Sequence, residues 1–153
     1  MYNKSAAAES EENVFMTDYQ TWFGNEFPLV ETDWLEANID APDLRILDCT
    51  VLMSPDPSGG TIAVSGRTQW EAEHIPGSGF ADVLDALSDQ ESELRFTLPS
   101  ADRFAEAMGA LGVGEGTRVV LYSSEGYGFA ARVWWMLREF GFCKAAILNG
   151  GLT

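Results

Sequence analysis

Positive charge is scarce in this sequence. Its 153 residues include 9 lysines and arginines against 24 aspartates and glutamates, which gives a formal net charge of −15. A phosphate backbone or an anionic membrane surface is bound by clustered lysine and arginine side chains. The few basic residues here are scattered, so the composition argues against nucleic acid and against a membrane as partner.

Other features are missing as well. No apolar run is long enough to span a bilayer, and residues 1–15 lack the basic and then apolar segments of a secretory signal. Two cysteines, Cys49 and Cys143, do not make a disulfide framework. One histidine, His74, with no cysteine near it provides no metal site. We therefore expect a cytoplasmic location, no metal and no other cofactor.

Apolar residues are plentiful at 46% of the chain, enough for one domain with a hydrophobic core. Residues 1–26 are predicted to be an acidic, flexible tail, because Ser5–Glu12 contains only alanine, serine and glutamate without periodicity. An alternative stays open, since the aromatic residues from Phe15 to Phe23 fall near helical spacing and can dock on the domain or on a partner. Residues 27–153 form the predicted domain.

Short apolar strands alternate with helices along this domain. Strands are predicted at Leu44–Leu47, Val119–Tyr122 and Ala145–Leu148. Helices are predicted after Thr32 and Ser100 as N-caps and at Phe129–Phe140, with a shorter one at Ala81–Leu87. Ser54–Gly66, rich in proline and glycine, is predicted as a loop. Because parallel neighbours need crossover connections, we expect an α/β fold with an open parallel sheet and helices on both faces.

Three segments together resemble a known family. They are Arg45-Ile-Leu-Asp-Cys49, then Gly66-Arg67 with Trp70-Glu-Ala-Glu-His74-Ile-Pro-Gly-Ser78, and finally Arg132-Val-Trp-Trp-Met-Leu137 with Ile147-Leu-Asn-Gly-Gly-Leu152. The combination is similar to rhodanese-like sulfurtransferases, and specifically to the N-terminal, non-catalytic domain of two-domain thiosulfate or 3-mercaptopyruvate sulfurtransferases. Trp70 stands for the motif's usual Phe or Tyr, and Ser78 for its usual Ala.

The resemblance implies where the chemistry belongs. In this family a cysteine thiolate takes sulfur from a donor, holds it as a persulfide and passes it to cyanide or a thiol. The nucleophile begins the loop that follows the strand at Val119–Tyr122, and here that position is Ser123. A serine hydroxyl is not ionised near neutral pH and cannot form a persulfide, and Glu125 adds negative charge to the loop. We therefore expect no catalytic residue in this chain, which makes the chain as given inactive.

Other residues have competing interpretations. Cys49, at the carboxyl end of a strand, is the rival nucleophile, but an unpaired cysteine there is more often a small buried hydrophobe. The resemblance implies that Arg67 and His74 flank the substrate site. The structural alternatives are an ion pair of Arg67 with a carboxylate such as Asp48, and a hydrogen bond from His74 to nearby main chain. The loop Ser123–Gly128, which lacks the family's cysteine, is called the silent loop below. Arg132 is expected to tie the start of its helix to this loop.

The resemblance also implies a larger protein. Such domains continue past the Gly-Gly-Leu turn into a further helix, so we expect a fragment truncated at its C-terminus. The leading hypothesis is the N-terminal half of a sulfurtransferase that uses a small anionic sulfur donor, shapes the interdomain site and depends on a C-terminal rhodanese domain for the catalytic cysteine. The alternative is a free-standing inactive rhodanese module that binds or regulates a partner. The donor, the acceptor and the oligomeric state are left open.

Overall fold

The computed structural model describes residues 19–24 and 26–152, which form a central sheet flanked by helices. The strands of that sheet are β1 Leu29–Val30, β2 Leu44–Asp48, β5 Gly79–Phe80, β6 Arg118–Tyr122 and β7 Ala145–Leu148. A separate hairpin is made by β3 Val51–Pro55 and β4 Thr61–Ser65. The helices are α1 Thr32–Asn38, α2 Arg67–Ala72, α3 Ala101–Ala110 and α4 Gly128–Glu139, preceded by a helical segment at residues 19–23.

The central sheet is parallel throughout. Its spatial order is β1-β7-β6-β2-β5, and β2 pairs with β6 from Leu44↔Arg118 to Asp48↔Tyr122. The strands are short and almost entirely apolar, as expected where both faces of a parallel sheet are covered. This confirms the predicted α/β class and the predicted strands at Leu44–Leu47, Val119–Tyr122 and Ala145–Leu148.

Helices cover both faces of the sheet. Strand β6 shows this directly, because Val119 and Leu121 belong to one core cluster while Val120 and Tyr122 belong to the other. Helices α3 and α4 pack on the first face, and α1 with the 19–23 segment packs on the second. The alternation along β6 places the two layers of helices on opposite sides.

The N-terminal aromatics are docked where the structure describes them. Tyr19 and Phe23 are 3% and 2% exposed, and they belong to the same core cluster as Val30 of β1. Trp134 Nε1 donates to Tyr19 Oη at 3.0 Å. For residues 19–24 the structure thus gives the docked alternative rather than a flexible tail. The tail predicted for residues 1–18, together with residue 25, lies outside the described residues.

Two local predictions were wrong. Ser54–Gly66 is not a loop, because most of it belongs to the β3–β4 hairpin, whose turn is made by residues 56–60. Ala81–Leu87 forms turns instead of a helix, with Asp82 Oδ1 accepting the N–H groups of Leu84 and Asp85. An aspartate that bonds its own following backbone favours a turn over a helix.

Helix starts were predicted with mixed success. The Ser100 hydroxyl caps α3 by accepting the Arg103 N–H at 3.3 Å, as expected. The N-cap of α1 is Glu31 rather than Thr32, and it makes no side-chain cap.

Within residues 19–24 and 26–152, no helix combines the length and the apolarity needed to cross a membrane.

Candidate functional site

The carboxyl ends of the parallel strands surround a large cleft. Strand β2 ends at Asp48 and β6 at Tyr122, which are register partners, and β7 ends beside them at Leu148. A cleft of about 730 Å³ opens here. Its lining includes Leu35, Glu36, Ile39, Asp48, Gln69, Trp70, Glu73, Ile75, Ser124, Glu125, Leu148 and Leu152. Open α/β sheets bind ligands at this edge, so it is the candidate site.

Ser123, at the position where the resemblance places a nucleophile, is a structural residue. It is 3% exposed, and its Oγ accepts the Glu125 N–H at 3.2 Å. Gly151 covers it from the turn after β7, where an added Cβ would lie 2.4 Å from the Ser123 carbonyl oxygen. No basic side chain among the described residues is hydrogen-bonded to Ser123, so nothing there can activate the hydroxyl.

Two backbone N–H groups of the loop, those of Ser124 and Glu125, are already engaged. The Ser124 N–H donates to Thr50 Oγ1 at 3.0 Å, and the Ser124 hydroxyl lies 3.2 Å from the same atom. Ser124 Oγ also donates to Gln69 Oε1 at 3.3 Å. A loop that binds an anion turns its N–H groups toward the ligand. The N–H groups of Ser124 and Glu125 point to side chains of this chain instead.

Tyr127 fastens the far end of the loop to the turn after β7. Its hydroxyl donates to Asn149 Oδ1 at 3.0 Å and accepts the Gly150 N–H at 3.1 Å. Asn149 Nδ2 in turn donates to both carboxylate oxygens of Glu31 at 3.0 Å. These bonds join the loop, β7 and the start of α1 into one closed arrangement.

The electrostatic character of the cleft is acidic. Its lining carries the carboxylates of Glu36, Asp48, Glu73 and Glu125, and no lysine or arginine of the described residues lines it. A small anion held by this surface alone would meet repulsion and no charge-assisted bond. The lining itself therefore supplies no cation that could neutralise an anionic ligand.

His74 lies between two residues that line the cleft, Glu73 and Ile75. Its Nδ1 is 2.6 Å from the carbonyl oxygen of Trp70, and its ring stacks on the Trp70 ring with centroids 4.7 Å apart. A carbonyl oxygen only accepts, so Nδ1 carries the proton and Nε2 is the acceptor nitrogen of the neutral ring. The structural alternative, a bond to nearby main chain, is confirmed.

Arg67 is turned toward a neighbouring loop. Its guanidinium lies 3.7 Å from Asp82 Oδ2 and stacks over the Phe80 ring at 4.8 Å. The structural alternative was a bond to the loop or to a carboxylate, with Asp48 as the example, and the carboxylate observed is Asp82. Arg67 itself does not line the cleft, and its side chain is 49% exposed.

Comparison with known proteins agrees with this geometry. The profile of the rhodanese-like domain matches residues 31–153. The chain belongs to the rhodanese-like family. It is 42% identical over 125 residues to thiosulfate/3-mercaptopyruvate sulfurtransferase 1 of Arabidopsis thaliana, covering 82% of this chain and 31% of that protein. It is 39% identical over 133 residues to the 3-mercaptopyruvate sulfurtransferase of Escherichia coli, covering 87% of this chain and 43% of that protein.

A solved structure shows the same fold. The crystal structure of SseA from Escherichia coli matches this rhodanese-like domain with a TM-score of 0.70 and 37% identity, over 86% of this chain and 45% of that one. The chain therefore spans less than half the length of the sulfurtransferases described here, as an N-terminal domain would.

Cys49 is a poor nucleophile in this rhodanese-like domain. It is fully buried, and its Sγ lies 3.8 Å from the Leu47 carbonyl oxygen. Burial raises the pKa of the Cys49 thiol well above its ordinary value, and the adjacent Asp48 carboxylate raises it further. The thiolate that sulfur transfer requires is thus both inaccessible and disfavoured, and the interpretation of Cys49 as a small buried hydrophobe fits its surroundings.

Arg132 does not tie its helix to the silent loop. Its Nη2 donates to the Phe96 carbonyl oxygen, and its guanidinium stacks over the Phe96 ring at 5.8 Å. Phe96 lies in the loop between β5 and α3 and has a positive φ of 62°. The expectation for Arg132 was therefore wrong about the partner, because residues 88–98 fold back over α4 in a way that local pattern does not reveal.

Sequence reasoning missed a hydrogen-bonded cluster behind the His-Ile-Pro-Gly turn. Trp70 Nε1 donates to Ser78 Oγ at 3.1 Å, and Ser78 Oγ lies 3.0 Å from Tyr122 Oη. Tyr122 Oη also accepts the Ile75 N–H at 3.2 Å. Burial raises the pKa of Tyr122 to about 12, so the phenol is neutral. The two departures from the family motif, Trp70 and Ser78, were the available signal, since a partly buried indole N–H needs an acceptor.

No metal site is evident in the part of the chain that the structure describes, where no cluster of three or more histidine, cysteine, aspartate or glutamate side chains can hold an ion. Cys143 and Cys49 are both free thiols.

Proposed function

We propose that this chain is the N-terminal half of a two-domain sulfurtransferase, which moves sulfur from thiosulfate or 3-mercaptopyruvate to a thiol or cyanide. In this proposal the chain shapes one wall of the interdomain site, and the catalytic cysteine comes from a C-terminal rhodanese domain. The observation that carries it is Ser123, buried and hydrogen-bonded at the position of the nucleophile. The relatives named above, which bear thiosulfate and 3-mercaptopyruvate sulfurtransferase names, support the substrate class.

The acidic lining of the cleft indicates which groups of that site this domain does not supply. A small anionic donor needs cationic groups, and this wall supplies carboxylates. In this proposal the second domain provides the thiol, together with positive charge beyond that of Arg67. His74 and Arg67 are the proposed substrate-flanking residues of this half. His74 is exposed beside cleft-lining residues, and the ion pair of Arg67 with Asp82 is long enough to be exchanged for another anion.

Domain limits and location belong to the same proposal. Residues 27–153 are proposed as the rhodanese-like domain, and the docked helical segment at residues 19–23 favours extending it toward the N-terminus. A cytoplasmic location is supported by the two cysteines being free thiols.

A sulfur-transfer assay tests the proposal. The purified chain is incubated with thiosulfate or 3-mercaptopyruvate and cyanide, thiocyanate is measured, and the protein mass is checked for a persulfide. We expect neither product from the chain alone, and thiocyanate formation when it is joined to a cysteine-bearing catalytic domain. Turnover by the isolated chain that Cys49→Ser abolishes would overturn the proposal.

The alternative, a free-standing inactive module that binds a partner, is favoured by the size and half-apolar lining of the cleft. Reading the gene beyond codon 153 separates the two. A second rhodanese domain with a cysteine-led loop supports the sulfurtransferase half, and an immediate stop codon supports the binding module.

A further inference from the structure

Ser78 lies at the centre of the cluster behind the His-Ile-Pro-Gly turn. It is 6% exposed, and its hydroxyl contacts both the Trp70 indole nitrogen and the Tyr122 phenol. Tyr122 is fully buried in β6, so this contact fixes the cluster to the centre of the sheet. Ser78 therefore connects a rigid strand to an aromatic side chain that lines the cleft.

The orientation of His74 depends on that aromatic side chain. The Trp70 carbonyl oxygen accepts a hydrogen bond from His74 Nδ1, and the Trp70 ring is the surface on which the imidazole stacks. His74 is exposed, so packing around the outer side of its ring does not hold it in place. A rotation of the Trp70 ring would remove the stacking surface and free the imidazole to exchange tautomers and rotamers.

Only the hydroxyl of Ser78 prevents that rotation by a directed bond in the described structure. An alanine at position 78 would leave a partly buried indole N–H and a buried phenol each without this partner. In the motif that the chain resembles, a Phe or Tyr stands at position 70 and an Ala at position 78, and an alanine side chain can make no such bond. The two departures thus satisfy each other.

We propose that Ser78 is a positioning residue, whose hydroxyl joins Trp70 to Tyr122 and thereby holds the His74 imidazole with Nδ1 on the main chain and Nε2 as the acceptor at the cleft edge. The inference rests on the proposed function in treating His74 as a substrate-flanking residue. A donor or acceptor carrying a hydroxyl, thiol or protonated carboxyl group is the ligand that a fixed acceptor nitrogen can orient.

The direct test is the nitrogen NMR spectrum of the imidazole in the ¹⁵N-labelled chain at alkaline pH. His74 is the single histidine of the sequence, so its two ring nitrogens need no assignment against others. We expect a protonated signal for Nδ1 and an unprotonated signal for Nε2. The reverse pattern, or two averaged signals in the wild type, would overturn the inference.

Substitutions then separate positioning from general stability. Ser78→Ala should average the two His74 signals and shift the Trp70 indole proton, whereas Ser78→Thr, which retains the hydroxyl, should restore the wild-type pattern. Ser88→Ala is the matched control. Ser88 is 3% exposed and donates to the Val83 carbonyl oxygen at 2.6 Å in another part of the core. Unchanged His74 signals in Ser78→Ala, or an equal change in Ser88→Ala, would refute the role.

A second route applies if Ser78→Ala does not fold. Tyr122→Phe removes the phenol that Ser78 contacts and should move the His74 signals in the same direction by a smaller amount. No effect in that folded variant would also count against the inference. These measurements use the isolated chain and no sulfur chemistry. Turnover by the isolated chain together with a fixed His74 tautomer would refute the proposed function alone. No turnover by the isolated chain together with unchanged His74 signals in Ser78→Ala would refute the role of Ser78 alone.

Discussion

At the residue scale, Ser123 lies in a loop whose groups bond to one another and to neighbouring side chains. Its hydroxyl accepts a loop N–H, the next N–H turns to Thr50, and Gly151 packs against its carbonyl. The first two contacts use N–H groups that an anion-binding loop would offer to its ligand. A cysteine at position 123 would therefore leave the contacts of Thr50 and Gly151 with the loop in place.

The Ser123→Cys variant should accordingly stay inactive. We expect no thiocyanate above the wild-type background and slow alkylation of the new thiol, because the residue is 3% exposed. Mass spectrometry of native protein treated with iodoacetamide locates the label, and the partly exposed Cys143 is the internal control that should react first. Rapid labelling of the introduced thiol together with persulfide formation would show that the loop is open.

At the scale of elements, the helical segment at residues 19–23 behaves as part of the domain. Phe23 packs against the Trp34 ring of α1 with centroids 5.4 Å apart, and Arg118 Nη1 donates to the Trp22 carbonyl oxygen at 2.6 Å. The same guanidinium is bonded to Asp43 at 2.8 Å, so one arginine of β6 holds two peripheral segments. The segment thereby covers the face of the sheet that α1 alone leaves open.

Removing the Phe23 ring should therefore be costly. Phe23→Ala is expected to lower the free energy of unfolding by about 3–5 kcal/mol, as for other fully buried aromatics. Gln20→Ala, at an exposed position of the same segment, should change it by less than about 0.5 kcal/mol. Urea denaturation followed by fluorescence measures both. Equal, small effects would mean that the segment is a loose leader after all.

The hairpin shows why some elements were not predicted. In the strand Thr61–Ser65, successive side chains lie on opposite faces of the hairpin. Ile62 and Val64 are exposed, whereas the smaller Ala63 packs on the core. A pattern whose larger apolar residues face solvent does not read as a half-buried strand, and the proline and glycine around it favour a loop. The β3–β4 pairing, a contact between residues up to 14 positions apart, is what stabilises it.

For the whole molecule, the ionisation of buried Tyr122 and Cys49 at high pH lowers the free energy of unfolding. Burial raises the pKa of Tyr122 to about 12 from its ordinary 10.0, and that of Cys49 well above its ordinary 9.0. The unfolded chain ionises first, so it binds fewer protons than the native state and stability falls as pH rises. The fall starts near the ordinary values and continues through the raised ones, and each new negative charge adds to a net charge of −15.

We therefore expect the urea midpoint to decrease steadily between about pH 9 and about pH 11. Tyr122→Phe should make that decrease shallower, although the variant starts from a lower stability because it loses the bonds to Ser78 and Ile75. Tyr127→Phe, at a half-exposed tyrosine, is the control and should leave the slope as in the wild type. A pH-independent midpoint would show that buried ionisable groups do not limit alkaline stability.

The linear chain by itself determined the family, the parallel α/β class and three strands of the sheet. Strands β2, β6 and β7 are nearly continuous apolar runs, and α3 has a serine cap, so their local signals coincide with their final environment. The family resemblance gave the position of Ser123, and the general preference of unpaired cysteines for the interior favoured the burial of Cys49.

Only the tertiary structure decided which groups meet. That Arg67 pairs with Asp82, that Arg132 binds the loop of Phe96, and that Ser78 links Trp70 to Tyr122 are contacts across 8 to 44 positions of sequence. Hydrogen bonds between side chains leave no periodic trace, because they depend on where separate elements are placed by the packing of their apolar faces. For the same reason the acidic wall of the cleft, assembled from α1, β2, α2 and the silent loop, became visible only once the chain was folded.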